Sequence, residues 1–266
     1  MDSRVTFRGG DREIQGYLVL PEGEALPGIV VIQEIWGLDE HIEDVARRFA
    51  AEGYAALAPD LYTGVRSEVM TPERIAAGMA FLRGASQEVQ RDPEKLESAL
   101  EDKPQEERDA TRILATAMSP EGRLHFAEDL LGAVEYLRGR PEVYEGRIGS
   151  IGFCMGGALS GLLATLSPEL RAAVIFYGNN PPPGRVPDIR ASVLGIYGGE
   201  DARITGGVPE LEAAMREAGK SFEYHVYPGA PHAFFNDTRP NYREEAARDA
   251  WERVLAFFGQ TLKTGA

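Results

Sequence analysis

The only cysteine of this 266-residue chain lies in a glycine-rich turn. Residues 152–157 read Gly-Phe-Cys-Met-Gly-Gly, after the apolar run 147–151 and before the small-residue segment 158–164. This order predicts a strand, a tight turn and a helix, with Cys154 in the turn. Glycines two residues before and after a nucleophile let strand and helix pack closely, and a helix N-terminus favours a thiolate. Cys154 is therefore a candidate nucleophile; the alternative is a small buried apolar residue, a common fate of free cysteine.

An activated thiol needs a base, and the chain has four histidines. His232 lies in a proline- and glycine-rich loop that follows the predicted strand 222–227, where it could reach the thiol. His225 lies inside that strand, while His41 and His125 fall on predicted helices, where we expect them to be solvated. His232 is therefore the best candidate for the base.

A third group should orient the histidine, and two acids compete for this role. Asp201 and Glu200 follow one another at the end of the predicted strand 192–197, and we favour Asp201 because it lies closer to the loop. The order Cys154, Asp201, His232 is the nucleophile–acid–histidine order of α/β-hydrolases. Each member follows the end of a strand, on the side where open α/β sheets build their sites.

The rest of the chain alternates between strand-like and helical segments. This alternation predicts an α/β fold with a doubly wound, mostly parallel sheet and helices on both faces. An N-terminal hairpin comes first, over 5–8 and 14–20. The other predicted strands are 28–32, 54–58, 147–151, 172–177, 192–197 and 222–227, and the helices are 40–52, 158–166, 208–219 and 241–258.

One region, at about 64–120, shows no convincing strand. Thr71, Asp92 and Ser119 each precede Pro-Glu, which is typical of a capped helix N-terminus. We expect a helical insertion with an acidic, charge-alternating segment such as 92–107. It could cover the active site as a lid or elaborate the surface, and both readings stay open.

Length and composition favour one soluble domain over residues 1–266. Hydrophobic residues make up 43% and charged residues 26%, and the net charge is −14, so nucleic acid and anionic membranes are unexpected partners. A single cysteine excludes an internal disulfide and a cysteine-rich metal site. We expect no cofactor or metal, and a cytoplasmic location, because the N-terminus lacks the apolar stretch of a signal peptide.

Five segments carry a resemblance to a known family: 33–37 (Gln-Glu-Ile-Trp-Gly), 58–62 (Ala-Pro-Asp-Leu-Tyr), 152–157, 198–201 (Gly-Gly-Glu-Asp) and 232–237 (His-Ala-Phe-Phe-Asn-Asp). With these segments the chain resembles the dienelactone hydrolase family. The resemblance implies a triad of Cys154, Asp201 and His232, and a role for Glu34, which would exchange hydrogen bonds with the thiol and help to generate the thiolate. It also implies an oxyanion hole made by the amides of Ile35 and Met155.

The chain departs from this family where substrate carboxylates are bound. The best-known members carry an arginine four residues after the catalytic histidine, whereas Asn236 stands here. Arg66 and Arg74, in the insertion, are other possible clamps. We expect a pocket that does not depend on a substrate carboxylate at this position. Its substrate-binding candidates are Asn236 and an apolar wall of Trp36, Tyr62 and Phe234.

The predicted function is hydrolysis of a small-molecule ester or lactone by a cysteine nucleophile, through a thioester intermediate. The alternative is a non-catalytic ligand-binding homologue of the same fold. Retention of Cys154, Asp201, His232 and Glu34 argues against that alternative. The oligomeric state is not predicted.

Overall fold

The computed structural model describes residues 1–23, 25–65 and 68–264. Within these ranges, eight strands form one sheet in the order β1-β2-β4-β3-β5-β6-β7-β8. β1 and β2 form the predicted N-terminal hairpin and run antiparallel to each other, and β2 is antiparallel to β4. All further pairings are parallel. The strands are β1 (Asp2–Arg8), β2 (Glu13–Val19), β3 (Leu26–Ile32), β4 (Ala55–Pro59), β5 (Val143–Phe153), β6 (Leu170–Phe176), β7 (Ser192–Gly198) and β8 (Phe222–Tyr227).

Helices cover both faces of the sheet, as the alternating pattern predicts. One apolar cluster contains side chains of α6, α7, α9 and the insertion, and the other contains side chains of α1 and α10. The helices are α1 (Glu40–Ala51), α2 (Pro72–Gly84), α3 (Gln87–Arg91), α4 (Pro93–Ala99), α5 (Gln105–Met118), α6 (Pro120–Arg138), α7 (Met155–Leu166), α8 (Ala202–Thr205), α9 (Val208–Glu217) and α10 (Glu244–Phe258).

Strand β3 shows why the sheet is buried on both faces. Val30 and Ile32 belong to the cluster under α6 and α7, whereas Ile29 and Val31 belong to the cluster under α1 and α10. All four side chains are completely buried. Successive strand residues point to opposite faces, so a continuous β-branched run suits a strand that is covered on both sides.

Three helices in and next to the insertion begin where the sequence predicts, whereas α3 and α5 begin at positions that it did not predict. Thr71, Asp92 and Ser119 are the N-caps of α2, α4 and α6, and each side chain accepts a hydrogen bond from a backbone N–H of the first turn. The acidic segment 92–107 is not continuous: α4 ends at Ala99, and α5 begins after Pro104. Apolar side chains of α2, α4 and α5 join the apolar cluster that also contains Tyr62.

Two boundaries differ from the expectation near the thiol. Strand β5 begins at Val143 rather than 147, and α7 begins at Met155 rather than 158. Cys154 therefore stands alone between the last strand residue and the first helical residue. This abrupt strand–helix junction positions the candidate site at the carboxyl edge of the parallel strands.

Candidate active site

Cys154 occupies a strained turn that only its glycine neighbours allow. Its backbone lies at φ 56° and ψ −111°, a conformation that L-residues rarely adopt. A Cβ on Gly152 would lie 1.9 Å from the carbonyl oxygen of Gly156. A Cβ on Gly156 would lie 2.4 Å from the carbonyl oxygen of Gln33. Both distances are too short for non-bonded atoms, so only glycine fits at these two positions. This is the close strand–helix packing that the glycine spacing around Cys154 predicts.

The turn holds the thiol at the N-terminus of α7. The Cys154 amide donates a 3.0 Å hydrogen bond to the carbonyl of Phe176, which anchors the turn on the neighbouring strand β6. Met155 is the first residue of α7, so its N–H belongs to the group that has no acceptor within the helix. The Cys154 side chain remains partly exposed although the helix after it is buried. Cys154 is therefore a partly exposed residue at a helix N-terminus, whose first N–H groups have no acceptor within the helix.

His232 lies between Asp201 and the thiol. Its Nδ1 is 2.5 Å from Oδ2 of Asp201, and Cys154 lies near enough to the ring to raise the pKa of His232. The competing acid Glu200 is exposed, and its amide donates a 3.0 Å bond to the carbonyl of Ala230. That bond joins the loop after β7 to the loop that carries the histidine. The geometry thus pairs Asp201, rather than Glu200, with the imidazole.

The environment of His232 favours its protonated form. Burial alone would lower the pKa of His232, but the hydrogen bonds to Asp201 and Cys154 outweigh it and raise the pKa to about 10. For Asp201, burial works against ionisation, yet the hydrogen bond to His232 lowers the pKa of the carboxyl. The pair therefore favours an imidazolium held by a carboxylate.

Glu34 is buried at the end of β3 and is held by two side chains. Nδ2 of Asn236 donates a 2.7 Å hydrogen bond to Oε2, and the Tyr177 hydroxyl lies 3.4 Å from Oε1. Only 2% of Glu34 is exposed. Burial raises the pKa of Glu34, opposed by the charge of His41 and by the Asn236 bond. A carboxyl group in this setting can take up a proton more readily than an exposed one.

The expected contact between Asn236 and substrate has to be corrected. Asn236 is completely buried, its amide nitrogen bonds to Glu34, and its amide oxygen accepts from the backbone and the hydroxyl of Thr238. Both ends of the side chain are therefore occupied by the protein itself. Asn236 supports Glu34.

Tyr177 is a site residue that the sequence analysis missed. It follows β6 directly with φ 38°, it is completely buried, and its ring centroid lies 5.1 Å from that of His232. Burial raises the pKa of its hydroxyl well above the usual range, and negative charge on Glu34 and Cys154 acts in the same direction. Its position could have indicated a site residue, because Tyr177 follows the strand next to the one that carries the nucleophile.

The loop that carries Ile35 is fixed by the segment 58–62. The Tyr62 hydroxyl donates a 2.9 Å bond to the carbonyl of Ile35, and the Leu61 amide donates a 3.1 Å bond to Oε1 of Gln33. The Ile35 amide has no acceptor in the described part of the chain. The bonds from Tyr62 and Leu61 hold the backbone around Ile35 in place.

The other two wall candidates differ in exposure. Trp36 is half-buried, and the Arg239 guanidinium lies 4.1 Å from its ring centroid. Phe234 is completely buried and packs against Tyr177 and Tyr227. Phe234 thus supports the site from behind rather than forming an open wall.

Three further expectations concern His41 and the two arginines of the insertion. His41, which was expected to be solvated, is buried, and only 2% of its surface is exposed. Arg74 donates a hydrogen bond to the carbonyl of Glu68, within the insertion. Arg66, the other possible carboxylate clamp, lies outside the described residues.

Two kinds of feature are absent from the described ranges. No helix there combines the length and apolar character needed to cross a membrane. Among the same residues, no group of three or more His, Cys, Asp and Glu side chains is arranged to hold a metal ion.

Comparison with known proteins is consistent with this geometry. Residues 14–262 match the model of the dienelactone hydrolase family. A protein of Saccharolobus solfataricus, provisionally named a carboxymethylenebutenolidase, is 38% identical over 99% of this chain and 100% of its own length. A protein of Methylorubrum extorquens with the same provisional name is 35% identical over 94% of this chain and 78% of its length.

The fold has a matching solved structure. A crystal structure from Klebsiella pneumoniae, provisionally assigned as a dienelactone hydrolase, is 29% identical, has a TM-score of 0.72, and covers 98% of both chains. The eight-stranded, mostly parallel sheet with helices on both faces is that of the α/β-hydrolase fold. By sequence and by structure, this chain belongs to the dienelactone hydrolase family.

Proposed function

We propose that this protein hydrolyses small esters or lactones through a thioester on Cys154. One observation carries the proposal: Nδ1 of His232 lies 2.5 Å from Oδ2 of Asp201, and Cys154 in the strained turn lies near enough to the same imidazole to raise its pKa. This is the nucleophile, base and orienting acid that acyl transfer requires.

In the proposed acylation step, Glu34 takes the proton of the Cys154 thiol, so that an S–H bond breaks as an O–H bond forms. The thiolate attacks the substrate carbonyl carbon, and the amides of Ile35 and Met155 bind the resulting oxyanion. The bond between this carbon and the alkoxide oxygen then breaks. The His232 imidazolium gives its proton to the alkoxide, and a thioester remains.

Deacylation restores each group. Neutral His232 takes a proton from water, and the hydroxide attacks the thioester carbonyl within the same oxyanion site. The carbon–sulfur bond breaks, and the carboxylic acid leaves. The thiolate of Cys154 recovers its proton from Glu34, and His232 is again an imidazolium held by Asp201. The raised pKa values of Glu34 and His232 suit these two proton-carrying roles.

The position of Glu34 relative to the thiol is part of the proposal. Tyr177 supports this position, because negative charge on either Glu34 or Cys154 raises the pKa of its buried hydroxyl. Asn236 and Tyr177 hold the carboxylate from two sides, which leaves it little freedom to turn away. Such positioning is what an acid–base group needs in order to act in every cycle.

For the substrate we propose a neutral, short ester or lactone. Ile35, whose amide is one of the two proposed oxyanion donors, lies next to two aromatic residues, Trp36 and Tyr62. Asn236 is completely buried and uncharged, and its amide nitrogen is bonded to Glu34, so it does not suit a substrate carboxylate. Ester and enol-lactone leaving groups also suit a thiolate nucleophile better than amides do.

The test is hydrolysis of p-nitrophenyl acetate by the purified protein. We expect turnover in the wild type and its loss in Cys154→Ala. Activity that persists in Cys154→Ala, in a protein with no other cysteine, would exclude the thiol as nucleophile. A wild type that binds p-nitrophenyl esters but does not cleave them would instead identify a ligand-binding protein.

A further inference from the structure

Strand β8 forms one edge of the sheet, and among the described strands it pairs with β7 alone. The carbonyls of Ser221 and Tyr227 accept hydrogen bonds of 3.0 and 2.8 Å from backbone N–H groups of β7 and of the residue that follows it. Backbone groups alternate in direction along a strand, so those of residues 221, 223, 225 and 227 face β7. The N–H and C=O groups of residues 222, 224 and 226 therefore point away from the sheet.

The side chains of β8 do not protect this edge as those of the opposite edge strand do. β1 carries an aspartate and two arginines, and charges on an edge strand discourage pairing with another chain. β8 carries one carboxylate, Glu223, while Phe222 and Tyr224 stack with their ring centroids 5.6 Å apart. Tyr224 is 39% exposed. An edge of this kind favours pairing with a further strand.

The two faces of β8 differ in character. Residues 222 and 226 pack against the apolar cluster that includes side chains of α9, and the Tyr224 hydroxyl donates a 3.4 Å hydrogen bond to a carboxylate of that helix. Glu223 and His225 lie on the other face, where they line a cavity together with residues of α10. Apolar and polar side chains thus alternate along the edge.

This pattern selects one register if β8 pairs antiparallel with β8 of a second copy. Outward-pointing groups must meet each other, so the registers that pair most of the strand set Tyr224 opposite residue 222, 224 or 226. The first sets Glu223 opposite Glu223, and like charges directly opposite each other are destabilising. The last sets residue 222 opposite Pro228, which has no N–H to donate. Only with Tyr224 opposite Tyr224 does Glu223 stand opposite His225, which can donate a hydrogen bond to it.

We propose that this protein is a homodimer in which β8 of each chain pairs antiparallel with β8 of the other, with Tyr224 at the two-fold axis. The two sheets then form one continuous sheet, and aromatic and β-branched side chains meet on its α9 face. The same strand is used by both chains, so the assembly closes at two copies. All residues of the proposed mechanism come from one chain, and the dimer is therefore tested independently of ester hydrolysis.

The first test is the mass of the purified protein in solution, measured by light scattering after size exclusion at micromolar concentration. We expect about twice the 29.1 kDa of one chain. Tyr224→Pro should give a monomer, because it removes an outward N–H while the bonds between β7 and β8 remain. A monomeric wild type would overturn the proposal, and so would a folded Tyr224→Pro variant that is still a dimer.

Two charge variants at exposed or half-buried positions test the register and do not depend on a proline being tolerated. His225→Glu sets two carboxylates opposite each other and should weaken dimerisation by roughly tenfold, since the symmetry repeats this repulsion. Adding Glu223→Lys should restore the wild-type dimer, because a lysine then stands opposite each new carboxylate. A double variant that dimerises as weakly as His225→Glu would refute this register.

Cross-linking locates the two-fold axis. In a Cys154→Ala background, Tyr224→Cys leaves one thiol per chain beside the proposed axis, and a short bismaleimide should join two chains. Tyr144→Cys is the matched control, because Tyr144 is also 39% exposed but lies on β5, which β6 and β7 separate from β8. Cross-linked chains in both variants, or in neither, would contradict the proposal.

These readouts separate the two proposals. A dimer with the expected cross-link that hydrolyses no ester would refute the proposed function and leave the β8 interface intact. A wild type that hydrolyses esters as a monomer would do the reverse.

Discussion

The hydrogen bond between Asp201 and His232 should control the reactivity of the thiol. Nδ1 and Oδ2 lie 2.5 Å apart, and only 8% of the Asp201 side chain is exposed. Asp201→Asn preserves the size of the side chain and removes its charge. The imidazolium then loses the partner that offsets its burial, and the thiolate in turn loses a stable cation beside it.

The structure indicates the size of this effect. The pKa of His232 stands at about 10 against an ordinary 6.5, through the bonds to Asp201 and Cys154 and in spite of burial. Loss of an adjacent opposite charge should lower this pKa by roughly 1–3 pH units. A hydrogen bond to a charged group contributes about 1.5–3 kcal/mol, which corresponds to about 10- to 150-fold. We expect alkylation of Cys154 at neutral pH, and ester hydrolysis with it, to slow by that factor.

The assay is the pH profile of iodoacetamide alkylation, followed by the mass of the intact protein. Glu200→Gln is the matched control, because Glu200 is the adjacent acid and its side chain is exposed. We expect the wild-type profile in Glu200→Gln and a profile displaced to higher pH in Asp201→Asn. Equal effects of the two variants, or an unchanged profile in Asp201→Asn, would refute the assignment of Asp201 as the orienting acid.

Three other outcomes follow from the geometry. Gly152→Ala should not yield folded protein, since its Cβ would lie 1.9 Å from a backbone oxygen, whereas Gly259→Ala, in open space at φ −57°, should melt close to wild type in thermal denaturation. Asp129→Asn should destabilise the fold by about 1.5–3 kcal/mol in urea titration, because the partly exposed Arg12 guanidinium loses the charge of the buried carboxylate that lies 2.7 Å away. Finally, kcat/KM for the methyl ester of a dienelactone should equal or exceed that for the free acid. A strong preference for the free acid would show that an arginine binds the carboxylate.

Local rules explain why much of the fold could be predicted from the sequence. The cap–Pro–Glu starts at Thr71, Asp92 and Ser119 depend on residues within one helical turn, and each forms as predicted. The glycines around Cys154 are likewise a local steric requirement. The break between α4 and α5 was missed because charge alternation alone does not mark where a helix ends.

The features that could not be predicted from the sequence depend on contacts between distant segments of the chain. The bond from Asn236 to Glu34 joins residues that are 202 positions apart. The sequence alone does not show that the fold brings them together, and it therefore predicted that the Asn236 amide contacts the substrate. His41 starts an amphipathic helix, where a polar residue is usually solvated. Its burial follows from how Phe153 and Phe235 pack around it, which no local pattern encodes.

The central claim is that Cys154 carries the acyl group during turnover, and trapping that group tests it most directly. The protein is mixed with p-nitrophenyl acetate, quenched with acid within the first turnover, and analysed by intact mass and peptide mapping. The account predicts one acetyl group per chain, on the peptide that contains Cys154, formed as fast as the first p-nitrophenolate is released. Turnover without an acetyl group on Cys154, or with one on another residue, would contradict it.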